Sequence, residues 1–227
     1  MKLQILFIHL IFFLNMKIWL KLGVLLLIVI LFANCASQKQ IIYNIINDLE
    51  FNENMGNEKF DIDLFNKNQK NDSYKYTLDD GTYIELLKHF GIGPSSGFTE
   101  WRHPANKFYQ IYKSYYPNLN LERKGLVIDD QLDIGIWEYY DEQGNLVKKV
   151  NEDEKFGKFD YNRLFLLLNR KGYIDIQKGN WKDVVGVGFD NEKKLWYIEV
   201  KNKDGHRKLV INEKEQIVKT IKVYEIE

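Results

Sequence analysis

The chain of 227 residues has a single cysteine, Cys35, so no disulfide can close within it and stability must come from an apolar core. The 192 residues beyond that cysteine suffice, because a chain of this size buries roughly 70 per cent of its unfolded surface. Net charge is also missing: 32 Lys/Arg balance 32 Asp/Glu, and residues 36–227 carry 29 against 32 with the signs interleaved. That excludes the basic stripe of a nucleic-acid binder. Histidine is scarce. Beyond Cys35 only His89, His103 and His206 occur, no two at metal-ligand spacing and with no thiol to join them, so no metal is assigned. Asp61-Ile62-Asp63 opens like a calcium loop, but Phe65 replaces the third oxygen ligand and no glycine follows at the sixth place. Gly91 to Gly97 reads as a long loop and lacks the Lys-Ser/Thr ending of a phosphate cradle. The adjacent acids Asp129-Asp130 and Asp153-Glu154 do not form paired carboxylates, since neighbours along a strand point to opposite faces; solvated turns are expected. No catalytic residue and no cofactor is assigned, and a non-enzymatic protein is expected.

One further absence is positional. Residues 1–34 contain no acid, and their only charges are Lys2, Lys17 and Lys21. From Leu22 to Ala33 runs an unbroken apolar stretch. Twelve residues make about 18 Å of helix, short of the roughly 30 Å of a hydrocarbon core, so a signal-peptide core fits better than a span. Initiation at Met16 would give an ordinary export signal and leave the apolar stretch Leu3 to Leu14 superfluous. Leu31-Phe32-Ala33-Asn34-Cys35 resembles the bacterial lipoprotein signal, in which the cysteine is acylated and becomes the mature N-terminus. Asn34 departs from the commoner Gly, Ala or Ser and is similar to a variant of Bacteroidota lipoproteins. The resemblance implies that residues 1–34 are removed and that Cys35 carries palmitate-type chains, anchoring the protein to the cell membrane or outer membrane. Two or more acyl chains make such anchoring stable, at about 0.8 kcal/mol per buried methylene. No acidic run follows Cys35; in Bacteroidota lipoproteins such a run resembles a surface-export tag, so a domain facing the periplasm is expected.

Residues 35–58 read as a tether, with Ile41, Ile42, Ile45, Ile46 and Leu49 at the spacing of a short amphipathic helix. From residue 59 to 157 short apolar and aromatic runs alternate with turn residues, the texture of antiparallel hairpins; Asp79-Asp80-Gly81 marks one. A repeat lies within this region. Tyr115-Tyr116 precedes Asn120-Leu121, and Tyr139-Tyr140 precedes Asn145-Leu146 with one residue inserted. The second copy, Gly135-Ile-Trp137-Glu-Tyr139-Tyr140-Asp141-Glu-Gln-Gly144-Asn145-Leu146, resembles the MORN-type repeats and their antitoxin-repeat relatives. Residues 158–227 begin with the one clear helix, about 161–171, with Asp160 as N-cap and Gly172 as terminator. Four strands follow, over 184–189, 195–200, 207–211 and 217–224. Trp196-Tyr-Ile-Glu-Val and Lys208-Leu-Val-Ile-Asn-Glu loosely resemble the C-terminal half of PepSY-like domains. The fold class is therefore α+β, mainly hairpins and meander built on tandem repeats, with that helix packed on a C-terminal antiparallel sheet.

Aromatics are the unusual feature: Tyr109, Tyr112, Tyr115, Tyr116, Trp137, Tyr139 and Tyr140 concentrate in the repeat region. They are either cross-strand packing or a recognition face, to which Trp101, in Glu100-Trp101-Arg102-His103, could add a rim. The antitoxin-like resemblance implies a protein partner, with this chain as an immunity-type protein neutralising a periplasm-acting toxin. The alternative is an envelope lipoprotein with a structural or peptide-binding role. Cys35→Ser is expected to abolish acylation: radiolabelled palmitate should mark the wild-type chain only, and label on the variant would remove the lipid-anchor expectation.

Overall fold

The computed structural model describes residues 58–90, 96–105, 107–179 and 183–224. Cys35, the expected tether helix and residues 91–95 of the glycine-rich segment lie outside the described residues.

Runs of alternating side chains become strands β1 (Ser73–Thr77), β2 (Tyr83–His89), β3 (Gly97–His103), β4 (Gln110–Tyr115), β5 (Leu121–Ile128), β6 (Leu132–Tyr140) and β7 (Leu146–Asn151). These form a seven-stranded antiparallel meander in chain order. Strands β8 (Val184–Asp190), β9 (Leu195–Asn202), β10 (Gly205–Asn212) and β11 (Ile217–Val223) form a second meander of four. The four C-terminal strands thus lie where the sequence placed them.

Among the described residues two α-helices are present, not one: α1 (Ile62–Asn68) and α2 (Tyr161–Arg170). Helix α1 spans two turns, too few for a periodic pattern, and is set by its ends. The Asp61 carboxylate accepts a hydrogen bond from the Leu64 N–H at 2.9 Å, and Phe65 is its one buried anchor. The aspartate read as a failed calcium ligand is a helix cap. Helix α2 starts as expected, with the Asp160 carboxylate accepting from the Arg163 N–H at 2.9 Å. It ends where Gly172 adopts φ 74° and the Tyr173 N–H reaches back to the Leu168 carbonyl.

Both copies of the repeat are hairpins, in a register that differs from the sequence alignment. Tyr115 pairs with Leu121 and Tyr140 with Leu146, so Tyr115 corresponds to Tyr140 and nothing is inserted. In each turn the first N–H donates to the carbonyl four residues on, and the fourth residue is left-handed: Leu119 at φ 72°, Gly144 at φ 86°. This is a type I turn with a glycine-type bulge. The same construction closes β1–β2 over Leu78 to Thr82 and β10–β11 over Asn212 to Gln216, with Gly81 and Glu215 left-handed.

Helix α1 covers one face of the seven-stranded sheet, where Phe60, Phe65, Ile84, Leu86, Phe98, Tyr115, Leu121 and Tyr140 form a core. Phe60 stacks on Phe98 at 4.4 Å. A second core gathers around Trp196, which stacks on Phe156 at 5.0 Å and donates its indole N–H to the Phe159 carbonyl at 3.0 Å. Helix α2 is tied to the four-stranded sheet through Arg163 and Arg170, which both ion-pair with Glu215. It meets the larger sheet's loops through Phe108, 4.5 Å from Phe165. Asp129 and Asp153, expected in solvated turns, have structural roles. The Asp129 carboxylate accepts from the Val187 N–H of β8 at 3.1 Å, and Asp153 accepts from Gly135 N–H and from the Tyr161 hydroxyl. Burial pushes both carboxyls above the usual range despite these donors.

Gly125 is required by a close approach. Between the pairs Lys124–Glu138 and Leu126–Ile134, this one residue of β5 opposes Gly135, Ile136 and Trp137 of β6, and the Trp137 indole fills the space where its side chain would be. A Cβ at Gly125 would sit 2.2 Å from that ring. Gly125→Ala is expected to lower stability by about 1–3 kcal/mol through overpacking, read as a lower urea midpoint by circular dichroism. An unchanged midpoint would show that the indole can move aside.

Candidate functional site

Cross-strand neighbours share a face, so the register decides which sequence-distant residues meet. Trp101 lies opposite Tyr112, Tyr112 opposite Gly125, Arg123 opposite Tyr139, and Tyr139 opposite Lys148. The rings make a chain across the sheet: Trp101 to Tyr112 at 4.6 Å, Tyr112 to Trp137 at 5.8 Å, Trp137 to Tyr139 at 6.4 Å. Arg123 lies over it, its guanidinium carbon 5.2 Å from the Tyr112 ring and 5.7 Å from that of Trp137. Lys148 stands 4.3 Å over Tyr139. Such cation–ring contacts contribute about 0.5–1 kcal/mol each where exposed and more where desolvated. They border a groove of about 630 Å³ whose lining includes Tyr112, Ser114, Tyr116, Glu122, Arg123 and Tyr139.

The seven aromatic candidates divide between two roles. Tyr115 and Tyr140, 2% and 7% exposed, belong to the core under α1. They are packing, not a recognition face. Trp137, also 2% exposed, is the floor on which Arg123 rests, with its indole N–H donating to the Leu126 carbonyl at 3.3 Å. Tyr112, Tyr116, Tyr139 and Trp101 remain half-buried. The Tyr116 hydroxyl is occupied, donating to the Tyr140 carbonyl at 2.8 Å and fastening one hairpin to the next. Sequence reasoning missed Arg123, Gly125 and Lys148. Alternation along β5 could not have found the first two, since with Leu121 inward it would place Arg123 and Gly125 inward too; the bulge at Glu122, where Ser114 and Tyr115 pair with Arg123 and Leu121, turns both to the other face.

Glu100-Trp101-Arg102-His103 does not converge on one site, because these neighbours alternate across β3. Trp101 joins the ring chain, while Glu100 and Arg102 pair with each other. Glu100 is buried beside the equally buried Lys113, 3.8 Å away, and Lys113 also pairs with Glu58. The Tyr115 hydroxyl donates to Glu58 at 3.2 Å; burial and the two carboxylates push its pKa far up, so it stays a donor. A second row repeats this scheme: Glu138 pairs with Lys124 at 3.0 Å and Lys149 at 2.8 Å, and accepts the Tyr140 hydroxyl at 2.7 Å. Burial alone would raise the Glu138 carboxyl. The hydrogen bonds from Lys149, Tyr140 and Lys124 outweigh it and hold the group at about 2.

Among the described residues no group of three or more His, Cys, Asp or Glu side chains could hold a metal ion, and no helix is long and apolar enough to cross a membrane. No family model, no curated protein and no solved structure matches the chain.

The depressed Glu138 pKa has a signed consequence. A carboxyl lower in the folded than in the unfolded state stabilises fully above the unfolded value, and that contribution vanishes as pH falls through the folded one. Wild-type stability should therefore drop between about pH 4.5 and about pH 2. Glu138→Gln should show a shallower drop over the same window in urea titrations; parallel curves would mean that Glu138 is not held down.

Proposed function

We propose that the chain is a non-enzymatic lipoprotein, anchored through Cys35 with its domain in the periplasm, that binds a protein partner on the open face of the seven-stranded sheet. The reading preferred is an immunity-type protein that neutralises a periplasm-acting toxin by covering its active cleft. One observation carries the binding role: in a half-buried row of Trp101, Tyr112 and Tyr139, laid on the Trp137 floor with Arg123 across it, Tyr112, Tyr139 and Arg123 line the groove. Tyr, Trp and Arg are the residue types that dominate interface energetics, because rigid rings and a planar cation give contact area at little entropic cost. We further read the β4–β5 and β6–β7 hairpins as tandem copies of one MORN-type unit. Their shared turn and the Tyr115–Tyr140 correspondence support this.

The test is co-expression of the full chain with the product of the adjacent gene directed to the periplasm. Rescue of growth is expected, and Tyr112→Ala with Tyr139→Ala should weaken it. A harmless neighbour, or toxicity without rescue, would exclude immunity and favour the envelope-binding role.

A further inference from the structure

The rows of charge on the two faces are balanced differently. On the helix-covered face Arg102, Lys113, Lys124 and Lys149 each meet a carboxylate. On the open face Arg123 does not. Among the described residues its hydrogen-bonding partners are phenols, Tyr112 at 3.5 Å and Tyr139, and no carboxylate stands within ion-pair distance, although Asp133 feels its charge. The two acids that line the same groove have other work. Glu122 accepts the Ser114 hydroxyl at 2.8 Å; its charge is felt at Arg123 but makes no direct bond. The Asp141 carboxylate closes its own turn, accepting from the N–H groups of Gln143 and Asn145 and from the Asn145 side-chain amide. A guanidinium has five N–H donors in a rigid fork that matches a carboxylate. Here it is stacked on two rings, partly stripped of water, and borders a groove with room for a side chain. Lys148, over Tyr139, adds a second cation on the same side.

We propose that Arg123 is the receptor for a carboxylate, an aspartate or glutamate side chain presented by the partner's contacting segment. This rests on the binding reading above and specifies the chemistry that it recognises. The rings hold the fork in place and take up part of its hydration, so little side-chain freedom is lost when the carboxylate arrives. An uncharged isostere leaves the fork unsatisfied.

The test titrates the full-length chain in detergent with N-acetylglutamic acid α-amide, following the Arg123 Nε–H and Trp137 indole N–H resonances. Saturable shifts of both are expected. The N-acetylglutamine counterpart should bind about tenfold or more weakly, the factor set by one charge-assisted hydrogen-bonded pair. Arg123→Met keeps the stem on the rings and should abolish saturation. Arg123→Lys, the milder change, keeps the charge without the fork and should weaken binding severalfold, so the idea stays testable if the methionine variant fails to fold. A titration that never saturates, equal binding of the two amides, or binding unchanged by either variant would overturn the proposal. Because the probe is a small molecule, such a failure is separate from the immunity reading: growth rescue could persist without a carboxylate receptor, and the receptor could stand with no toxin neutralised.

Discussion

The indole of Trp137 lying across the bare backbone of Gly125 is the contact on which the open face depends. One residue of β5 faces three of β6 there, and the extra length turns the tryptophan inward over its neighbour strand. With the ring in that place, Tyr112 from β4 and Tyr139 from β6 come within reach of it, and Arg123 gains a flat surface to lie on. The bulge is held from outside the sheet as well, since Asp153 accepts the Gly135 N–H and is in turn bound by Tyr161 at the start of α2. The groove, the bulge and the helix junction are thus consecutive links of one packing arrangement.

The two faces of the sheet solve different problems. On the face under α1 an aromatic core adjoins two rows of alternating charge, Arg102, Glu100, Lys113 and Glu58 in one and Lys124, Glu138 and Lys149 in the other, with Glu100, Lys113 and Lys124 buried and Arg102 and Lys149 partly in solvent. Desolvating such groups gains little net stability even when all are paired, whereas an unpaired member costs several kcal/mol. A one-residue slip of any strand would exchange these charges with Trp101, Tyr112 or Tyr139 on the other side. The ionic rows therefore specify register more than they stabilise the fold.

Much of the fold was legible because its signals are local. The hairpin at Asp79-Asp80-Gly81, the capped helix α2 and the four C-terminal strands all follow from turn residues and periodicity. What was not legible depends on tertiary context. Helix α1 has one anchoring side chain and a cap that also fits a calcium loop. The repeat aligned by its tyrosine pairs, but the chain aligns it by turn geometry, and Leu119 accepts a left-handed conformation that nothing in its identity announces. The site was half visible: the aromatic residues stood out in the sequence, while their division into core and groove required the register. Arg123 carries no motif at all, and acquires its role from a glycine two residues away and rings on the two neighbouring strands.

Four hairpins share one turn, built on Leu-Asp-Asp-Gly-Thr, Tyr-Pro-Asn-Leu-Asn, Asp-Glu-Gln-Gly-Asn and Asn-Glu-Lys-Glu-Gln. Since each strand pairs only with its chain neighbour within its sheet, every pairing closes a short loop and the entropy of closure stays small. A chain that emerges end first from a narrow channel would meet each partner strand as soon as it is released. Such a sheet can be assembled in the order in which it is delivered, with no strand kept waiting for a distant one.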